Sequence, residues 1–379
     1  MDFSLPANAP LLLAFAELPD PRKERNRLYP LIDIVSVVLM GIICGANDIM
    51  AAYLWAQHRQ DWFVSMGLCL NGLPSYDTLN RVFRLLDPKE FNRCFMEWVH
   101  AIAGHIKGVI AIDGKTLCNS ADTFRATKPI HLINAFATEN QLFLGQLATE
   151  TKSNEITAIP ELLKLLTIKG AVVTIDAMGC QKGIVQQIKS QQGEYVIALK
   201  GNQGNLYAEV ENFFQQAKEV SPIESGCDFT KMVEKNRGRV EERMIWTCTF
   251  DWLDSKSLIE DWIGIKSTVC VQSNRTYKGK TTTEFRYYIS SLNPIAEQHA
   301  DITRSHWGVE NKVHWHLDVT FKEDQSKIRA GHGAENFSLM RKAALNLLKA
   351  DKSLKAGIEN KRKMAGWNPD YLLKILGVK

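Results

Sequence analysis

The stretch VVTIDAMGCQ, Val172–Gln181, decides how this chain is read. A short apolar and β-branched run stops on an aspartate, Asp176, and VIAIDGKTL, Val109–Leu117, ends the same way on Asp113. Short continuous apolar runs of this kind are the pattern of strands buried on both faces. After Asp176 comes a helical pattern, KGIVQQIKSQ at 182–191, and then another apolar run, YVIALK at 195–200, so the stretch opens a βαβ unit.

Working outward, HLINAFAT (131–138) and LFLGQLAT (142–149) read as further strands, and AIPELLKLL (158–166) as a helix. Together these predict an α/β layer with a mixed sheet flanked by helices. From about 205 to 295 the pattern alternates and is rich in Thr, Trp, Tyr and Phe, as in RMIWTCTFDWL and TEFRYYISSL, which predicts a β-rich insertion. Helical periodicity returns from Ile302 to Ala350. Residues 1–105 carry apolar residues at three- and four-residue steps throughout, predicting an all-α N-terminal domain. There Ser75 is an expected N-cap, with Leu79, Val82, Phe83 and Leu86 on the buried stripe and Arg81 and Arg84 facing outward. That helix follows the LNGLP turn, the placement of a DNA-recognition helix, but any α-bundle produces the same pattern. The expected division is therefore 1–105 helical, 106–350 α/β with the insertion, and 351–379 a basic C-terminal tail.

At 379 residues the chain is long enough to bury two or three cores. Its longest apolar run, Ile32 to Cys44, is far shorter than the roughly 20 residues of a membrane helix, and MDFSLPANAP lacks the basic start of a signal peptide. A soluble, cytoplasmic protein is expected. The eight cysteines are scattered without a C-x-x-C pair, which predicts reduced core residues. A net charge of +4 does not by itself point to nucleic acid, although KRK at Lys361–Lys363, with Lys352, Lys355, Lys374 and Lys379, makes the end basic.

In open α/β sheets, ligand chemistry gathers outside the carboxyl ends of strands. If their strands are neighbours, Asp113 and Asp176 point into one crevice. Two ionised carboxylates about 4 Å apart repel by roughly 4 kcal/mol at an effective dielectric near 20. Sharing a hard divalent cation relieves that, and all-oxygen ligands suit Mg²⁺. Two such ions can activate a nucleophile and stabilise a leaving oxygen on either side of a phosphodiester. Against this, aspartate after a strand commonly caps a turn, and Asp-Gly in IDGK is a turn former. A third acid is sought in RSHWGVENKVHWHLDVTFKEDQSKIR, Arg304–Arg329. On a continuous helix His306, Glu310 and His314 share one face. Zinc is a rival reading of two histidines and a glutamate, and Asp318, Glu323 and Asp324 compete as the third acid.

The blocks LPDPRKERNRLYPLIDIV, GLPSYDTLNRVF, IAIDGKTL, TKSNEITAIPELL, VVTIDAMGCQ, LKGNQ, NRGRVEER and HWGVENKVHWHLDVTFKED, in that order, resemble the H-repeat-associated proteins, members of the ISAs1 group of bacterial DDE transposases. The resemblance spans nearly the whole chain. It implies an RNase H-like catalytic core with a β-rich insertion before the last acid, an N-terminal helical domain, and Asp113, Asp176 and Glu310 as the catalytic, metal-holding triad. Mg²⁺, with Mn²⁺ as substitute, is the implied cofactor. Double-stranded DNA, as element ends and target, is the implied partner, on the bacterial nucleoid, with a homodimer expected because two ends must be joined. The chain departs from the wider IS4-like pattern, which has tyrosine, arginine and lysine where Thr303, His306 and Leu317 stand, and arginine where Cys118 stands.

Basic residues placed to meet DNA are Lys115 beside the first aspartate, Lys200 in the KGNQ turn with Gln203, Arg237 and Arg239 in NRGRVEER, His306 and Lys312. Arg239 is equally suited to pair with Glu241 or Glu242. The leading expectation is a metal-dependent enzyme of DNA cleavage and strand transfer. The alternatives are a catalytically silent DNA-binding remnant and a simple metal-dependent nuclease.

Overall fold

A computed structural model describes residues 8–104, 106, 108–121, 128–149, 154–236, 238–309 and 313–378. The N-terminal helices are α1 (Pro10–Ala16), α2 (Leu31–Ile43), α3 (Ile49–Gln57), α4 (Gln60–Ser65), α5 (Tyr76–Leu85) and α6 (Pro88–Ala103). Every residue of α2 except Ile32 is buried, and α1, α3 and α5 pack against it. Its Gly41 is required by close approach, since a Cβ there would lie 2.6 Å from the Cβ of Ala52 on α3. Helix α5 starts as expected: the Ser75 hydroxyl accepts from the Thr78 N–H at 3.3 Å, Leu79, Val82, Phe83 and Leu86 are buried, and Arg81 and Arg84 face solvent. Asp87 caps α6 in the same manner, with Pro88 at the first helical position.

The strands are β1 (Val109–Thr116), β2 (His131–Ala137), β3 (Leu142–Thr149), β4 (Val172–Ile175), β5 (Glu194–Leu199), β6 (Asp228–Asn236), β7 (Arg239–Cys248), β8 (Ser267–Tyr277) and β9 (Lys280–Ser290). They form one sheet in the order β3-β2-β1-β4-β5-β9-β8-β7-β6, with β1, β4 and β5 parallel and all other pairs antiparallel. The RNase H-like mixed sheet expected from the sequence is thus present. Its β-rich insertion is a four-strand extension that joins through the last residues of β9, Tyr287–Ser290, paired with Val196–Leu199 of β5.

Helix α7 (Glu155–Lys164) crosses from β3 towards β4, α8 (Lys182–Ser190) links β4 to β5, and α9 (Gly204–Ala217) leads into the extension. On the other face lie α10 (Ala296–Val309) and α11 (Gly333–Ala350). Between them the chain winds into wide π-helical turns over His316–Thr320, where the Phe321 N–H reaches back to the His316 carbonyl at 3.0 Å. The helical periodicity read from Ile302 to Ala350 is therefore divided between α10, these turns and α11.

Two expectations are corrected. The Asp-Gly of IDGK is not a turn, because β1 runs on through Gly114, Lys115 and Thr116, all paired with β2. The C-terminal segment holds two packed helices, α12 (Ile358–Trp367) and α13 (Pro369–Ile375), and Lys361 and Arg362 are 6% and 3% exposed. Arg362 donates to the carbonyls of Ile42, Ala46 and Thr320, and Lys361 to that of Leu348, so these cations tie helices together rather than face solvent. All eight cysteines are free thiols; Cys118 is exposed and Cys44 half-buried, the rest being buried as expected.

Candidate active site

Strands β1 and β4 pair in parallel, with Ile112 opposite Ile175. The next residues are Asp113, inside β1 just past its last β4 partner, and Asp176, which follows β4, so the two aspartates stand side by side where the parallel pairing ends. They share a face with Thr174, which lies two residues before Asp176, and with Asn134, the β2 partner of Asp113. Asp176 opens a short 3₁₀ turn at Ala177–Gly179, where its Oδ1 accepts from the Met178 N–H at 3.0 Å and the Gly179 N–H at 3.4 Å. The capping role and an outward-facing second oxygen are compatible in one carboxylate.

Two histidines close over this face separately. His306 on α10 bonds through Nδ1 to the Thr174 hydroxyl at 2.9 Å. Burial lowers its pKa to about 4, against the raising influence of Asp176 and aided by Arg286. It is therefore a neutral imidazole at physiological pH. His314 brings Nδ1 to 3.6 Å from Asp113 Oδ2 and is likewise lowered to about 4, by burial first and then by Lys115 and Lys342. The two rings meet different partners, His306 the Thr174 hydroxyl and His314 the Asp113 carboxylate.

Lys115 is not a free phosphate contact. It is 8% exposed and its ammonium pairs with Asp318, with Glu323 at 2.9 Å and with Asp324 at 3.8 Å. Burial disfavours its charge, but Glu323 and Asp318 outweigh that and raise its pKa. The competing third acids Asp318, Glu323 and Asp324 thus all pair with Lys115, on the face of β1 that carries Asp113. Glu323 also faces Arg341 at 3.8 Å on α11, and the next residue, Lys342, donates at 2.5 Å to both Asn134 Oδ1 and Gln146 Oε1. Burial lowers the Lys342 pKa to about 7 despite Glu323. This network was not read from the sequence, since its cations sit inside an apolar helical pattern.

The opposite face of β1 carries a second buried set. Thr116 Oγ1 lies 2.8 Å from His131 Nδ1, and His131 Nε2 lies 2.6 Å from Glu155 Oε1 on α7. The pair crosses directly over Gly114, where a Cβ would come within 2.5 Å of the Glu155 oxygen and 2.6 Å of the imidazole. Gly114 is demanded by this close approach, not by a turn.

Lys200 follows β5, next to β4, and is exposed. Its turn is pinned to the Asp176 loop, because Asn202 donates to the Ala177 carbonyl at 2.7 Å and Gln203 to that of Cys180 at 2.8 Å. Asp113, at the end of the β1–β4 pairing, is thereby brought to one edge with Asp176 and Lys200, which follow β4 and β5. Arg239 opens β7 at the far end of the extension and lies over the Tyr277 ring at 5.7 Å. Its two suggested partners are engaged elsewhere, Glu241 with Arg243 and Arg275, and Glu242 with Lys231. Arg239 borders a cleft of about 310 Å³ between the extension and α10, which Arg243, Arg275, Arg286, Arg304 and Trp307 also line. Arg286 stacks on Trp307 at 3.5 Å from the ring centre. Four of these arginines went unnoticed in the sequence: they sit at scattered positions on three strands and a helix, and only pairing of the strands assembles them.

Glu310, Lys312 and Arg237 lie outside the described residues. Helix α10 delivers the chain up to Val309, immediately before Glu310, on the face that carries both aspartates. The donor chemistry there fits a hard cation: two carboxylates, one with Oδ1 held by backbone donors, and neutral imidazoles that add no competing positive charge.

Compared with known families, residues 104–347 match the one described as "Transposase DDE domain", and residues 12–99 match "DDE_Tnp_1-associated". Similar proteins include "Putative protein YbfL" and "H repeat-associated putative transposase YhhI" of Escherichia coli K12. Each is 40% identical over 95% of this chain and 95% of that protein. "Putative transposase YncI" of Escherichia coli O157:H7 is 38% identical over 97% of this chain and 94% of that protein.

Proposed function

This chain belongs to the transposase DDE domain family, and from that premise we propose that it cleaves DNA phosphodiesters and transfers the freed strand to a target. Asp113, Asp176 and Glu310 are the proposed acidic centre. The reading is supported chiefly by one arrangement: Asp113 and Asp176 lie side by side where the parallel pairing of β1 and β4 ends, under the helix that leads into Glu310. The reaction is in-line attack by water and then by the freed 3′-hydroxyl, without a covalent enzyme intermediate. Asp113, Asp176 and Glu310 would hold Mg²⁺, or Mn²⁺ in its place, which would supply Lewis acidity for attack and departure at the phosphodiester.

The chain's own residues do the holding. Backbone donors orient the Asp176 carboxylate, and the Thr174 hydroxyl fixes the His306 ring beside it. A neutral His306 offers a phosphate a hydrogen bond but no charge at pH 7, unlike an arginine. The phosphate charge is met instead by Lys200 and by the arginine cleft, in which Arg239 is exposed. Glu241 within the cleft and Glu234 beside it offset part of that charge, so the fit is to a backbone passing over the surface. Two copies acting together on two element ends, at the bacterial nucleoid in the cytoplasm, complete the proposal. No described helix is long and apolar enough to cross a membrane.

The test is cleavage and strand transfer of labelled duplex carrying the element's own ends with Mg²⁺ or Mn²⁺, comparing the native chain with Asp113→Asn, Asp176→Asn and Glu310→Gln. Loss of both activities in all three variants, with end binding retained, is the expected result. A native chain that binds ends and never cuts them is a silent remnant; one that cuts without joining is a nuclease.

A further inference from the structure

Strand pairing brings two cysteines, far apart in sequence, to the base of the β6–β7 hairpin. Asp228 of β6 pairs with Thr247 of β7, so Cys227 and Cys248, one residue further out, stand opposite each other. Both are buried, at 7% and 3% exposure. The Cys227 N–H is taken by the Pro222 carbonyl at 2.9 Å, inside the preceding turn, and so is not donated across to Cys248. Directly opposed residues of antiparallel strands have Cα atoms roughly 4.5 to 5.5 Å apart, which falls within the window a disulfide spans without moving backbone. The third nearby thiol, Cys270, stands opposite Trp246 and is therefore only a diagonal neighbour of Cys248, roughly 7 to 8 Å away on such a ladder.

We propose that Cys227 and Cys248 are a modification site: a dithiol that closes reversibly into an intramolecular disulfide, stapling the β6–β7 hairpin at its base. The Cys227 thiol donates to the Ser225 carbonyl at 3.9 Å, and the two opposed thiols influence each other's ionisation. The neighbouring Cys248 outweighs burial and brings the Cys227 thiol down to about 7, while Cys227 and burial push Cys248 up. Cys227, the thiol that directly follows the exposed turn, is the attacking sulfur of the proposal. Its approach is from the exposed turn at Ser221–Gly226, where Ile223 is 91% exposed.

The co-reactant is a low-molecular-weight disulfide, such as oxidised glutathione. The Cys227 thiolate attacks one sulfur of that disulfide, breaking its S–S bond and releasing one thiol, which takes the Cys227 proton. Cys248 then loses its proton and attacks the Cys227 sulfur of the mixed disulfide, forming the internal bond and releasing a second thiol. Two protein thiols are oxidised and one external disulfide is reduced to two thiols. A reducing cytosol reverses the exchange, so the pair responds to redox conditions and is not a permanent cross-link.

The experiment treats the full native chain with oxidised glutathione, without denaturant, and follows thiol count and non-reducing peptide maps. The expected result is a drop of two from the eight thiols present, beyond any adduct at exposed Cys118. A peptide linking Cys227 to Cys248 accompanies it, and dithiothreitol reverses both changes. Cys270→Ser keeps the link, whereas Cys227→Ser and Cys248→Ser abolish it. The proposal is overturned if both thiols persist while Cys118 is glutathionylated, if the link runs to Cys270, or if Cys227 stops at the mixed disulfide. Should a serine variant not fold, Cys227→Ala and Cys248→Ala replace it, and the native peptide map decides independently of any variant.

Discussion

At the scale of single residues, the site depends on side chains that never face the acids. Gly114 leaves room for the His131–Glu155 pair to cross β1, one residue beyond Asp113. Gly114→Ala forces that pair aside, and overpacking of this kind costs about 1 to 3 kcal/mol. The expected outcome is a lower urea midpoint with an unchanged m-value. The histidines predict acid sensitivity. His306 and His316 are each lowered by burial to about 4 in the folded chain, where an unfolded imidazole titrates near 6.5. Between those values the unfolded chain binds protons that the native chain refuses. The stabilising contribution is therefore complete above about 6.5 and is lost as pH falls towards 4. For His306 the loss is on the order of 2 kcal/mol at pH 5, measurable as a fall in the urea midpoint between pH 7 and 5 that shrinks in His306→Asn.

At the scale of elements, edge strand β3 shows how the sheet ends. The Asn346 side chain on α11 accepts from the Phe143 N–H at 2.9 Å and donates to the Phe143 carbonyl at 3.0 Å, while Asn92 on α6 accepts from the Gln146 N–H at 3.1 Å. These amides occupy the place of a neighbouring strand. Asn346→Leu leaves two buried backbone groups unpaired, and a cost of about 1 to 3 kcal/mol for each is expected in equilibrium unfolding. The extension makes the matching prediction for binding. Arg239→Ala and Arg286→Ala weaken duplex binding about equally for all sequences, and each lowers the slope of log affinity against log salt by about 1, as fluorescence anisotropy over a salt series would read.

At the scale of the whole molecule, the N-terminal helices and the α/β part share one continuous core. Helix α11 donates from Asn336 to the carbonyls of Phe83 and Leu86 and from Arg341 to that of Asn47. Arg362 reaches from α12 to the ends of α2 and to the π-helical turns before α11. Arg362→Ala strands those carbonyls and opens a buried gap, for about 2 to 4 kcal/mol of lost stability. Calorimetry on the native chain is expected to show one unfolding transition, and on the variant a lower one or two.

What the sequence determined by itself follows from local chemistry. Apolar runs ending in aspartate marked β1 and β4, an N-cap serine marked α5, and three-and-four spacing marked the helices, because strand and helix periodicity are written in neighbouring residues. Only the tertiary structure decided what depends on contacts distant in sequence. It set Asp113 beside Asp176 by parallel pairing, turned Lys115 inward to Asp318 and Glu323, and buried Lys361 and Arg362 of the basic end against backbone carbonyls. A lysine or arginine reads the same in sequence whether it meets solvent, DNA or a carboxylate 200 residues away. Its role is chosen by which desolvated partner the fold supplies, and that is a property of the assembled core.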